Sequence, residues 1–379
     1  MRLFENINID FMGKRSFFFI VSSILILLGF INILFRGLSF GIDFNGGTEI
    51  ALQFEKSIDI AFIRDEVDKI GLGEIEVKTF GSSTGVLIRT ELQELPASIL
   101  PQVKSRIESA ISNTLPGVQK SITDSSNSSI TYEFQDHKTA EIVNNRLYAD
   151  GFQTSKVTED TTNRGVNVWL GISDWVKDNL RESFKDNPFT VLKEDRVGPK
   201  VGNELKTDAV IAIILSLIAI LIYISFRFKF TFAVGAVIAL FHDVLLTLGL
   251  FAMLYGVIPG LNLDINLTIV AAFLTLIGYS MNDTVVVFDR VREHLKIHKS
   301  LPLEQNINQA INKTFSRTII TGVATIMSII VLVIVGGEVL RGFAFALLIG
   351  MIAGTYSSVF VASAFVLEVA NRTNQKIEF

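Results

Sequence analysis

Residues 263–288 read LDINLTIVAAFLTLIGYSMNDTVVVF. A helix needs about 20 mostly apolar residues to cross a hydrocarbon core of roughly 30 Å, and this run supplies them. It nevertheless holds an acid, Asp283, within Gly278-Tyr279-Ser280-Met281-Asn282-Asp283-Thr284, six residues before the charged end Asp289-Arg290-Val291-Arg292-Glu293. A rise of 1.5 Å per residue puts the carboxyl about 9 Å inside the membrane. A charge at the centre of a span costs at least roughly 2.5 to 3.5 kcal/mol, so the residue calls for a reason.

Five other stretches have the same character: residues 17–35, 209–226, 230–257, 318–335 and 343–369. The 379 residues are 49% apolar and only 19% charged, which is low for a soluble globular chain. The expected class is an α-helical polytopic membrane protein with six transmembrane helices. The first stretch is too long for the apolar part of a signal peptide and no small-residue cleavage site follows it, so it reads as a retained anchor. One span, a large domain and then a cluster of five spans is the order expected of one half of a larger assembly.

Lys and Arg hold short loops on the cytoplasmic side. A cytoplasmic N-terminus (1–16) then keeps Arg2, Lys14 and Arg15 inside, followed by Arg227 and Lys229, the 289–317 loop, and Arg372 and Lys376 in the tail, 370–379. Arg341 breaks the pattern. Residues 36–208 carry 20 basic and 27 acidic residues, but segments this long cross largely regardless of charge, so they form the exported domain. Its acidity excludes nucleic acid as a partner, because phosphate binding needs a basic face. The chain has no cysteine, which removes disulfides, thiol chemistry and thiolate metal sites.

Within the exported domain, alternation marks strands at 48–54, 74–80, 84–90, 130–134, 152–159, 165–170 and 189–197. Helical spacing marks 58–70, 98–112, 137–148 and 173–185. The polar stretch 120–129 has the Ser and Asn content of a linker. The order predicts an α+β domain of two tandem ferredoxin-like βαββ units, 40–116 and 128–198. On the cytoplasmic side Ser300 and Pro302 start a helix with Leu303, Ile307, Ala310, Ile311 and Thr314 on one face, either lying on the membrane surface or simply connecting two spans.

Arg317 begins the fifth span near the same level as Asp283, and its long side chain can reach inward. Burial favours a neutral carboxyl and a nearby guanidinium favours a charged one, so making or breaking an Asp283–Arg317 pair would move a proton. A fixed structural salt bridge is the competing reading. Asn282 stands beside the acid. His242 and Asp243 lie near the middle of the third span, with Gly235 and Ala239 at four-residue spacing; they suit either a proton path or a satisfied interhelical bond. Gly342, Ala346, Gly350, Gly354 and Ser358 form a small-residue seam for close helix packing, internal or facing a partner. No phosphate-binding loop or metal-ligand cluster is present, and His137, His242, His294 and His298 are scattered. No cofactor and no enzyme activity are expected.

The string Phe40-Gly41-Ile42-Asp43-Phe44-Asn45-Gly46-Gly47-Thr48 resembles the signature at the base of the first external domain in the SecD/SecF family of export proteins. Val197-Gly198-Pro199-Lys200-Val201-Gly202 is similar to that family's re-entry motif. His242-Asp243, residues 278–293, Ser316-Arg317-Thr318 and Gly354-Thr355-Tyr356-Ser357-Ser358 fit the SecF branch. The resemblance implies a relative of the resistance-nodulation-division transporters in the bacterial inner membrane, with both termini cytoplasmic. It implies SecD, the SecYEG channel, a YajC-type small subunit and preprotein as partners, with protons as the driving ion. Asp283 and Arg317 would then be the proton-transport positions, and Gly41, Asp43, Gly46, Gly47, Gly198, Pro199 and Gly202 structural ones. Family members usually carry a single βαββ unit, so 116–187 reads as an insertion. Two other functions stay open: a proton-driven exporter of small molecules or lipids, and a non-transporting assembly factor.

Overall fold

The computed structural model describes residues 8–157, 163–258 and 261–373. Arg2, Lys376 and the end of the strand expected at 152–159 lie outside them. The chain divides into two compact units, Met1–Phe44 with Glu204–Phe379, and Asn45–Asn203. It opens with α1 (Arg15–Arg36) and the short α2 (Ile42–Asn45).

The unit Asn45–Asn203 runs β1 (Gly47–Phe54), α3 (Ile60–Lys69), β2 (Glu76–Thr79), β3 (Gly85–Thr90), α4 (Leu100–Thr114), β4 (Lys120–Ser125), β5 (Ser129–Phe134), α5 (His137–Ala149), β6 (Gln153–Lys156), β7 (Gly165–Trp169), α6 (Ile172–Ser183) and β8 (Phe189–Val197). Asp59 and Asp136 cap α3 and α5, each accepting a backbone N–H at 2.9 Å. The strands make two antiparallel sheets, ordered β2-β3-β1-β8 and β4-β5-β7-β6.

This pairing differs from the two consecutive units expected at 40–116 and 128–198. Each sheet is begun by one half of the sequence and completed by the other. β8 pairs with β1 from Gly47↔Val197 to Phe54↔Phe189, while β4 pairs with β5 from Lys120↔Phe134 to Ser125↔Ile130. The helices follow their strands. α6 lies on the first sheet, where the Phe184 ring stands 5.4 Å from Phe54 and the Trp175 indole N–H points to the carbonyl of Ile70 at 3.5 Å. α4 lies beside α5 on the second sheet, with Glu108 close to Tyr132. The two halves thus exchange their closing helix and strand, the intramolecular form of a domain swap. Residues 116–187 are correspondingly no self-contained insertion, since α6 serves the first sheet.

The expected linker at 120–129 is largely β4, an edge strand whose polar side chains face solvent, followed by a turn in which the Ser126 hydroxyl accepts the N–H of Ser129 at 3.0 Å. A buried ion network ties the exchanged strand in place. Glu49 on β1 takes Arg89 of β3 at 2.7 Å and Lys193 of β8 at 3.1 Å. Gly47 stands at φ +117°, and a Cβ there would sit 2.2 Å from the carbonyl oxygen of Thr90, so only glycine lets β1 start where it does.

The other unit adds α7 (Pro199–Arg227), α8 (Phe230–Leu254), α9 (Leu267–Ile297), α10 (Leu303–Val335), α11 (Gly337–Ser357) and α12 (Ser363–Thr373). Among the described residues six helices are long and apolar enough to cross a membrane, the sixth formed by α11 and α12 in line. Proline at the first position of α7 loses no hydrogen bond, because that N–H has no helical partner anyway. The segment after α1 is fastened to the start of α9: Gly41 N–H donates to the Ile265 carbonyl at 2.8 Å, and Asp43 Oδ2 accepts Leu267 N–H at 2.9 Å.

Most of the expected 289–317 loop is helix. α9 continues to Ile297, and the helix expected at the membrane surface is the first part of α10, continuous with its span. Its apolar face meets protein: Ile307, Ala310 and Ile311 pack with Phe11, Met12, Val287 and Val291, and Asn308 and Asn312 accept backbone N–H groups of Ile9, Phe11 and Met12 at 2.9 to 3.0 Å. The sixth span, expected unbroken over 343–369, contains a π-turn at Ser358–Ala362 that separates α11 from α12. There Ser363 Oγ donates to the Ser358 carbonyl, five residues back, at 3.0 Å. The small-residue seam is internal. A Cβ on Gly350 would reach within 2.5 Å of Leu276, and one on Gly354 within 2.8 Å of Ser280, both on α9; Gly342 packs equally close to Asn262.

Candidate functional site

Asp283 lies on α9 and is 4% exposed. Its Oδ2 is buried and meets no hydrogen-bond partner. Two further buried oxygens in the same state stand around it: the hydroxyl of Tyr279, one turn earlier on α9, and that of Thr355 on α11. Gly322 of α10 closes the group, its Cβ direction pointing 3.6 Å from Thr355 Oγ1 and 4.0 Å from Tyr279 Oη. Three polar atoms from two helices therefore converge against the bare backbone of a third. Buried polar atoms are paired as a rule, and unpaired ones concentrate where function demands them. An apolar cleft of about 270 Å³ between α10 and the α11 region has Gly322 and Thr355 among its lining, with Thr314, Phe315, Tyr356 and Phe360.

The expected Asp283–Arg317 ion pair is not made in this structure. Arg317 is exposed on α10, five residues from Gly322, hence about 7.5 Å along the helix. The reason is that a guanidinium near a span's end is most stable reaching toward water rather than into the hydrocarbon level. Asn282 is exposed and faces away from the group.

His242 and Asp243 form a separate site on α8. Asp243 is fully buried; its Oδ2 accepts Ser280 Oγ–H of α9 at 2.6 Å and Ser357 Oγ–H at the end of α11 at 2.8 Å, and its Oδ1 stands 3.2 Å from His242 Nδ1. His242 Nε2 is buried without a partner, and the imidazole lies 5.9 Å from the Tyr356 ring, whose hydroxyl donates to the Phe18 carbonyl of α1. Gly235 and Ala239, on the same helix, are buried, with Gly235 close to Ala362 in the π-turn.

Sequence reasoning singled out both acids but missed the residues that organise them: Ser280, Ser357, Thr355, Tyr279 and Gly322. For four of them the available signal was a small or polar residue in an apolar span within one helical turn of an acid or a seam glycine: Tyr279 and Ser280 precede Asp283 by four and three positions, and Thr355 and Ser357 follow Gly354 by one and three; Gly322 carried no such signal.

Residues 176–372 match the C-terminal profile of the protein export membrane proteins SecD/SecF, and residues 31–58 match the SecD/SecF GG motif. The chain belongs to the SecD/SecF family. It is 37% identical to the protein translocase subunit SecF of Rhodothermus marinus over 98% of this chain and 96% of that one. With SecF of Calditerrivibrio nitroreducens it shares 35% identity over 95% and 93%. The crystal structure of SecDF, a translocon-associated membrane protein from Thermus thermophilus, superposes with a TM-score of 0.65 at 27% identity, covering 97% of this chain. The present chain spans 39% of the length of that solved chain. Both of these SecF relatives are described as protein translocase subunits.

Gly41, Asp43, Gly46 and Gly47 fall inside the GG-motif match. Gly41 and Asp43 fasten the segment after α1, while Gly46 packs against Pro199 at the head of α7. Gly202 N–H donates to the carbonyl of Gly198 at 2.9 Å, the first turn of that helix.

Proposed function

We infer that this chain is the SecF-type subunit of a bacterial protein translocase, which acts with a SecD-type partner and uses the proton motive force to promote late-stage preprotein translocation across the inner membrane. The supporting observation is the Asp283 group: a buried acid in an export-family chain, with no partner in hand and a guanidinium on the neighbouring helix. A carboxyl buried without a partner is tolerated neutral and is costly charged, whereas one that has gained a guanidinium is stable charged. Two helix arrangements, with Arg317 withdrawn and with Arg317 reaching Asp283, thus differ by one proton. Alternation between them is the step that couples the gradient to movement.

The basic residues that flank the spans support an orientation with both termini and the α9–α10 connection in the cytoplasm, and the unit Asn45–Asn203 outside. Each of its sheets reads as a ferredoxin-like unit, since β8-β1-β3-β2 and β4-β5-β7-β6 carry the same order of edge and central strands. This unit would hold the emerging preprotein. SecYEG and a YajC-type subunit complete the expected assembly.

The test is preprotein translocation into inverted membrane vesicles under an imposed proton gradient, at equal amounts of assembled complex. Asp283→Asn and Arg317→Met are expected to abolish the gradient-dependent late phase and leave the earlier phase intact. Normal export by both variants would make the two residues structural and the chain an assembly factor.

A further inference from the structure

The Asp243 site shares its helices with the Asp283 site. Ser280, which binds Asp243, is one turn before Asp283 on α9; Ser357, which binds Asp243, is two residues after Thr355 on α11. Three residues along a helix return to nearly the same face, and two residues cross to the opposite one. Ser357 can therefore face α8 while Thr355 faces the Asp283 group.

We propose that Asp243 is the positioning residue of the Asp283 site: its carboxylate takes one hydroxyl from α9 and one from α11, and so fixes the rotation of the helix that carries Asp283 against the helix that carries Thr355. The inference rests on the reading of Asp283 as the proton-carrying residue.

Three observations carry it. The Asp243 carboxylate is fully buried, and the same Oδ2 holds both serines, so neither helix can turn without breaking a bond in a place where water cannot replace it. Gly354 lies directly against Ser280, so the two backbones are already at their closest approach and a rotation is not absorbed by sliding. The π-turn starts at the residue after Ser357, which lets α11 rotate without dragging α12. A rotation of about 20° moves a group about 6 Å off the helix axis by about 2 Å, enough to make or break a hydrogen bond. The titratable groups that face the two acids are His242 and Tyr356 at Asp243, and Tyr279 at Asp283.

The arrangement predicts which substitution rescues which. Asparagine at 243, with its amide oxygen in the place of Oδ2, keeps the acceptor for both serines and turns its NH2 toward His242 Nδ1, so both helix ties survive without the charge. Alanine loses both. The experiment uses the full chain assembled with its partner in membranes and labels carboxyls with dicyclohexylcarbodiimide across a pH series, with the Asp283 peptide read by mass spectrometry. Asp243→Asn is expected to keep the wild-type midpoint of Asp283 labelling. Asp243→Ala and the double variant Ser280→Ala/Ser357→Ala are expected to move it by about one pH unit, a tenfold change in acidity. If the alanine variant does not assemble, the double serine variant decides. An unmoved midpoint in the serine variant, or an asparagine variant displaced like the alanine one, overturns the proposal. Labelling requires no export, so normal export by Asp283→Asn would refute the proton-carrying role and leave this positioning claim to be judged on its own data.

Discussion

The exchange of closing elements in the unit Asn45–Asn203 makes a prediction that consecutive units would reverse. Ile107 on α4 is fully buried, and so is Leu180 on α6. Truncating a buried Ile or Leu to alanine costs about 2 to 5 kcal/mol, the spread depending on how far the cavity collapses. Even the lower figure raises the population of the locally opened state roughly thirtyfold. With the exchanged topology, Ile107→Ala loosens the sheet β4-β5-β7-β6, although α4 follows β3 in the chain, and Leu180→Ala loosens β2-β3-β1-β8, although α6 follows β7. The assay is native-state amide hydrogen exchange on the isolated unit, residues 45–203, whose two ends meet in the Gly47↔Val197 pair. Amides of β5 and β7 should exchange at least roughly thirtyfold faster in Ile107→Ala, with β1 and β3 less affected, and the reverse should hold for Leu180→Ala. Faster exchange of β1 and β3 in Ile107→Ala would refute the exchanged packing.

Two further outcomes follow from buried groups in the same unit. Glu49→Ala removes the carboxylate that Arg89 and Lys193 share across three strands while leaving Arg89 with Glu76 and Lys193 with Asp195, so a thermal or denaturant melt should report a loss of about 1 to 2 kcal/mol, with β8 the first strand to lose protection. Burial pushes the Tyr132 phenol above its ordinary value, so the folded state keeps its proton where the unfolded chain has lost it. The stability this gives is complete below about pH 10 and is lost as pH rises beyond it. Tyr132→Phe should remove that alkaline loss, and because the hydroxyl has no partner it should leave stability at neutral pH unchanged or raised by up to about 1 kcal/mol.

The membrane helices were legible because a span has to be apolar for about 20 residues whatever it packs against, and both intramembrane acids stood out against that background. The alternating and helical patterns also placed most elements of the α+β unit, since periodicity reports which face is buried. Periodicity does not report which sheet does the burying, so the destinations of α4 and α6 were beyond it. β4 was hidden by its position: an edge strand with solvated side chains reads as a polar linker. The seam through Gly350 and Gly354 was evident, but its partner helix was not, because small residues permit a close approach without naming what approaches. The π-turn left no mark in composition. The Asp283–Arg317 pair was inferred from shared depth along the bilayer, which sets how far apart two groups can be but not whether an exposed arginine turns inward in a given state.

In the proposed cycle Asp283 carries the proton that drives each turn. The most direct test is proton uptake into liposomes holding the chain assembled with its SecD-type partner, followed with an entrapped pH-sensitive dye under an imposed membrane potential. Wild type should show potential-driven uptake, and Asp283→Asn at equal protein amounts should fall to the level of empty liposomes. Equal uptake by the two would show that Asp283 does not carry the proton.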